Sequence, residues 1–104
     1  MKALIHVVRI ADSCIAKVNG VEVRHYVRHS PTGMEMGYCG SGPADMAYSI
    51  LRHLFHKPFA ERYYQKFKWD FVSGWKGNTV TVEIDFDAWV SYSPADVRVP
   101  KVAV

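Results

Sequence analysis

The chain has little cysteine, no long apolar run and none of the short motifs that announce a cofactor. Its two cysteines, Cys14 and Cys39, fit no CxxC metal or redox spacing, so they read as reduced, small buried hydrophobes. The longest apolar stretch near the start, Ala3 to Ile10, is broken by His6 and Arg9. That excludes a membrane span and argues against a secretory leader, which makes a cytoplasmic location the expectation. There is no GxxxxGK[ST], no GxGxxG, no nucleophile elbow and no cysteine-protease signature. The only closely spaced carboxylates, Glu83, Asp85 and Asp87, alternate as the exposed side of a strand would. Catalysis is therefore unmarked, and no cofactor is implied.

What is present is enough for one domain. The 104 residues are 49% hydrophobic and 13% aromatic, sufficient apolar surface to offset chain entropy within a single core. The net charge of +3 is uneven: residues 1–46 carry 5 basic and 4 acidic groups, 47–76 carry 6 and 2, and 77–104 carry 2 and 4. The middle third is the basic one.

Along the chain, Ala3 to Ala11 reads as a largely buried strand, rich in β-branched residues and without helical period. Cys14–Val18 and Val21–Val27 flank Asn19-Gly20, a dipeptide that accepts positive φ at both central positions of a type I′ turn, so a hairpin is expected. Val23 and His25 or Tyr26 continue its apolar alternation. Ser30-Pro31-Thr32-Gly33 is a loop, and Met34–Cys39 can return as another strand. A helix is expected from Pro43, with Asp45 in its first turn and Met46, Ala47, Ile50, Leu51, Leu54 and Phe55 as a buried stripe ending near His56. A second helix begins at Pro58, with Phe59, Tyr63, Phe67 and Phe71 on one side, and runs to about residue 73 before Gly74. Strict alternation over Thr79–Phe86 predicts a strand, although Asp85 followed by Phe86, Trp89 and Val90 also suits a capped short helix over 85–92. The tail from Pro94 to Val104 suits an edge strand or a cover over the core. The expected fold class is α+β: a small antiparallel sheet, made of the first strand, the Asn-Gly hairpin and strand 79–86, packed on an antiparallel helix pair spanning about 43–56 and 58–73.

The stretch Tyr38-Cys39-Gly40-Ser41-Gly42-Pro43-Ala44-Asp45, with Tyr64-Gln65-Lys66-Phe67-Lys68 and Phe86-Asp87-Ala88-Trp89-Val90, resembles a prokaryotic family known only as a domain of unknown function, family 6166. The resemblance implies a shared fold and brings no activity with it.

Three surfaces carry candidate function. Gly40, Ser41 and Gly42 before a helix could present backbone N–H groups to an anion or nucleotide, although helix capping and close packing explain the same residues and Asp45 would repel an anion there. His53 and His56 could share a cation and His25 and His29 flank the loop, but a third ligand at spacing is missing, so no metal is expected. The third surface is basic and aromatic: Arg52, Arg62, Lys66, Lys68 and Lys76 interleave with Tyr48, Tyr64, Trp69 and Trp75, and Lys57 adds to it. Tyr64, Trp69 and Trp75 exceed what one side of the second helix can bury, which makes them contact residues for a partner. The expectation is a non-enzymatic protein-interaction module, monomeric or homodimeric. Its sharper form is a phage- or mobile-element-encoded inhibitor of a host defence complex, in the manner of an anti-CRISPR protein. Nucleic-acid binding by the basic helices, or nucleotide binding at the Gly-Ser-Gly turn, are the alternatives.

Overall fold

The computed structural model describes residues 1–92, so the tail expected as a strand or cover lies outside the described residues. Strand β1 (Lys2–Ile10) leads through Ala11-Asp12 into β2 (Ser13–Val18), and the Asn19-Gly20 turn leads into β3 (Val21–Glu22). Helices α1 (Ser41–Leu54) and α2 (Lys57–Asp70) follow, then a short 3-10 turn (Val72–Gly74), β4 (Thr79–Asp85) and α3 (Phe86–Tyr92). The sheet is antiparallel throughout in the order β3-β2-β1-β4, which makes the first strand central. The architecture is the expected α+β one, with the helices on one face of the sheet.

Register follows the alternation. Ala3, Ile5 and Val7 of β1, Cys14, Ala16 and Val18 of β2 and Ile84 of β4 are buried against the helices, with Val80 and Val82 partly so. The intervening residues turn outward, where His6 Nδ1 and Thr81 Oγ1 are 2.8 Å apart and Leu4 stays 47% exposed. β1 is thus buried on one face only, because a single layer of helices covers the sheet. The strand stops at Ile10 rather than Ala11, since Ala11 takes φ +55 in the turn. Asn19 (φ +51) and Gly20 (φ +85) adopt the left-handed pair that a type I′ turn requires, and Asn19 also ties the turn to β1 by exchanging hydrogen bonds with Leu4.

Several boundaries differ from the periodicity. α1 starts two residues before Pro43 because Gly40 is its N-cap and accepts the Ala44 N–H at 3.0 Å. Pro43 then lies within the first turn, where its missing N–H leaves nothing unpaired. α1 ends at Leu54, so Phe55 and His56 form the whole link to α2, and His56 is the N-cap whose Nδ1 accepts the Phe59 N–H at 3.4 Å. Lys57 rather than Pro58 opens α2, which closes at Asp70; the expected last turn is the separate 3-10 segment. Met34–Cys39 makes only one bridge, Met34 to Cys14, before Gly37 (φ +92) turns the chain. Residues 86–92 settle as helix, with Asp85, the last residue of β4, accepting the Ala88 N–H at its Oδ1.

The centre of the core is aromatic. Phe67 stacks on Phe86 at 5.7 Å and meets the edge of Trp89 at 5.3 Å, while Phe59 and Tyr63 continue the stripe along α2. Burying each such ring contributes on the order of 2–3 kcal/mol, so α3 is held to α2 chiefly by Phe86 and Trp89.

Candidate functional site

The most unusual side chain in the structure is Asp45. Because α1 begins at Ser41, Asp45 lies beyond the first turn, in the middle of the apolar stripe, and it is fully buried. Its carboxylate accepts the backbone N–H groups of Arg28 at 3.1 Å, His29 at 2.9 Å and Ser30 at 3.0 Å, and it hydrogen-bonds His25 Nε2 at 2.9 Å. One turn further, Ser49 Oγ accepts the Tyr26 N–H at 2.8 Å. Burial pushes the Asp45 pKa up, but the His25 contact and the three backbone donors outweigh it and hold the carboxyl below its usual value.

These contacts explain why the hairpin's second strand is two residues long instead of seven. Val23 still donates to Ala16 at 2.8 Å, but from Tyr26 onward the backbone donors turn to side chains of α1. Residues 24–30 therefore leave the sheet and lie against the helices. Asp45 and His25 have the form of an orienting pair for acid–base chemistry, yet the carboxylate is occupied by three backbone donors, so its work is anchoring the loop.

The anchored loop carries a cluster of guanidinium and phenol groups. Arg28 Cζ lies 4.6 Å from the Tyr48 ring centroid and 5.4 Å from that of Tyr64. Arg52 and Arg24 lie 4.5 and 4.9 Å from the Tyr26 ring centroid. Tyr26, Tyr48 and Tyr64 meet edge to face at 6.3 and 5.3 Å, and His29 Nε2 is 2.9 Å from Tyr64 Oη. Tyr48 and Tyr64 are buried beneath these cations, while Arg24 and Arg28 remain exposed. Arg52 also donates to Tyr48 Oη at 3.5 Å; that hydrogen bond raises its pKa and outweighs the opposing effect of burial. Glu61 of α2 accepts from Arg28 at 3.2 Å and lies 3.8 Å from Lys57 Nζ.

The basic and aromatic residues expected to form one face are divided by the fold. Arg52 and Tyr64 join the cluster, Tyr64 as its floor rather than as exposed contact area. Lys66 pairs with Asp70, which also accepts the Trp89 Nε1 hydrogen bond at 2.8 Å, so this lysine helps dock α3. Lys68 is largely buried, its ammonium 5.5 Å from the ring centroid of Trp69. Trp75 is buried edge-on against Phe67 at 6.3 Å, and Lys76 donates to the Gly37 carbonyl at 2.8 Å. Of the three aromatic rings expected at the surface, Trp69 alone is exposed, at 63%. α2 alone could not bury the others, but the segment leading into β4 and the loop 24–30 cover them. Arg62 is exposed on α2.

At the Gly-Ser-Gly turn Gly42 serves close packing, since a Cβ there would stand 2.7 Å from Glu35 Cβ, whereas one on Gly40 would meet the ring of the exposed Tyr38. His56 lies outside α1 and caps α2, so it does not share one helix with His53. No cluster of three or more potential metal-ligating side chains occurs among the described residues. Nor is any helix there long and apolar enough to cross a membrane.

Residues missed in the sequence are Arg24, Tyr26, Arg28 and His29, and above all Asp45, whose role was misassigned. A signal existed: an acidic residue inside the apolar run from Ala44 to Leu51, with Ser49 four positions on, marks a buried polar anchor looking for donors.

Residues 7–92, from the middle of β1 to the end of α3, match a family model described as Family of unknown function (DUF6166). The chain belongs to the DUF6166 family. No curated protein and no solved structure matches it. The matched span contains the hairpin, Asp45, the whole arginine–tyrosine cluster and the aromatic centre, so the DUF6166 region includes every element that builds the site.

Proposed function

We propose that this DUF6166 protein is a non-enzymatic binding module whose contact surface is the arginine–tyrosine cluster on residues 24–29, α1 and α2. One observation carries the reading: Arg24 and Arg28 of a loop anchored by Asp45, with Arg52 of α1, lie against Tyr26, Tyr48 and Tyr64. Arginine and tyrosine dominate the energetics of protein interfaces. A guanidinium resting on a ring has surrendered much of its rotamer freedom before any partner arrives, so less of the interaction energy is lost on binding. Val27, 57% exposed between Tyr26 and Arg28, adds an apolar contact at the loop's tip.

An inhibitor of a host defence complex is the finer form of the same reading. A cationic face would act there by occupying an acidic protein groove rather than by imitating nucleic acid, whose charge is of the opposite sign.

The test is capture of partners from nuclease-treated lysate of the native host. It compares the wild-type chain with Arg24→Glu/Arg52→Glu and with Lys76→Glu as a control outside the cluster. The expected result is a protein partner lost in the double variant and retained in the control. Recovery unaffected by the double variant would refute the assignment of this face.

A further inference from the structure

We infer that the partner of this face is an acidic polypeptide whose carboxylates displace Glu61 from Arg28 and Lys57, so that Glu61 is an internal competitor setting the affinity of the site. The inference rests on the binding-module reading and adds the partner's chemistry and a built-in gate.

The observations are these. Glu61 is the acidic side chain seen in contact with the cluster's cations, 3.2 Å from Arg28 Nη1 and 3.8 Å from Lys57 Nζ. The chain thus already places a carboxylate on its cationic loop, in the arrangement that a glutamate or aspartate from another polypeptide would adopt. The contact is exchangeable: the Arg28, Lys57 and Glu61 side chains are 35%, 63% and 41% exposed, and ion pairs this open to water are weak. A partner carboxylate therefore loses little by replacing Glu61, and Glu61 returns to solvent without becoming buried and unpaired.

A polypeptide fits better than a nucleic acid. Base stacking needs open ring faces, but Tyr48 and Tyr64 are buried with Arg28 against them, and Tyr26 is contacted by Arg24 and Arg52. What the cluster offers outward is guanidinium N–H groups, which suit carboxylates, together with the apolar Val27.

The inference separates from its parent reading in one titration series. A fluorescent oligoglutamate peptide and a labelled oligothymidylate of similar length are titrated by anisotropy, at low and at raised salt, against wild type, Glu61→Gln and Arg28→Glu/Lys57→Glu. The expectation is that oligoglutamate binds wild type and binds Glu61→Gln about three- to five-fold more tightly, the gain shrinking as salt rises. The double variant should lose most of the binding. If wild type binds oligoglutamate and the double variant does not, but Glu61→Gln leaves the affinity unchanged, the competitor role is overturned and the site stands. Equal binding by wild type and the double variant overturns the site itself. Tighter binding of oligothymidylate, or no oligoglutamate binding even by Glu61→Gln at low salt, overturns the acidic-polypeptide assignment. Thermal melts of Glu61→Gln and of the double variant that match wild type confirm that the comparison is between folded proteins.

Discussion

Replacing Asp45 should be among the most damaging single changes at any polar position in this chain. Asp45→Ala removes the acceptor for three backbone N–H groups and for His25, and leaves a small void inside α1's buried face. The Ser30 N–H is buried, so its loss of a partner is uncompensated, costing about 1–3 kcal/mol. The Arg28 and His29 amides belong to exposed residues, where water can replace the carboxylate at about 0.5–1 kcal/mol each. The sum is about 2–5 kcal/mol, equivalent to a Tm roughly 8–40 °C lower for a domain of this size. Asp45→Asn should cost nearly as much, because its amide NH2 would face N–H donors. The pH dependence gives the same argument a sign. The folded carboxyl titrates below its ordinary value, so its stabilisation is complete above the unfolded value of about 4 and is lost as pH falls through the folded one. Urea unfolding at several pH values should therefore show a constant gap between wild type and Asp45→Asn from neutral pH down to about 5, narrowing in stronger acid. A gap below about 1 kcal/mol at pH 7, or one that widens in acid, would refute the reasoning.

Two further expectations test placements where the structure departs from the sequence reading, which took Cys39 as buried and Trp75 as a surface contact. Cys39 is exposed and should react readily with a thiol reagent at pH 8, whereas Cys14 is buried. Burial, followed by the neighbouring Glu35 charge, pushes the Cys14 thiol up to about 11, so it should react only on unfolding. Equal native labelling of both would contradict the packing of β2. Trp75→Ala should cost about 3–5 kcal/mol and Trp69→Ala less than about 0.5 kcal/mol, read by chemical denaturation. Acrylamide quenching should fall mainly when Trp69 is the ring removed, since Trp75 and Trp89 are buried.

Much of the fold was legible because its signals are local. The Asn19-Gly20 turn, the Val80, Val82, Ile84 alternation and the Phe59, Tyr63, Phe67 stripe each lie within a few residues and are all borne out. Where the reading went astray, a contact from far along the chain decided the matter. Val21–Val27 has the composition of a strand, yet from Tyr26 on its backbone donors go to Asp45 and Ser49. Trp75 looks surplus on α2, but the 3-10 turn brings it back against Phe67. Pro43 invites a helix start, while the capping carbonyl belongs to Gly40. The basic face failed as a unit for a related reason: Lys66 and Lys68 are spaced correctly on α2, but one faces Asp70 and Trp89 and the other lies along Trp69.

The anchor and the cluster are two parts of one device. Arg24, Tyr26, Arg28 and His29 sit on a segment that makes no sheet ladder, and a seven-residue loop with free backbone amides would cost binding energy each time a partner ordered it. Asp45 and Ser49 remove that cost in advance by taking four of the loop's amides from a rigid helix. The same helix supplies Tyr48 as floor for Arg28 and Arg52 as neighbour of Tyr26, so the side chains and the backbone of the face are registered to one element. Asp45 thus belongs to the proposed binding face although, being fully buried, it could not touch a partner. A variant lacking it should lose affinity through disorder of the loop even at temperatures where helices and sheet remain folded.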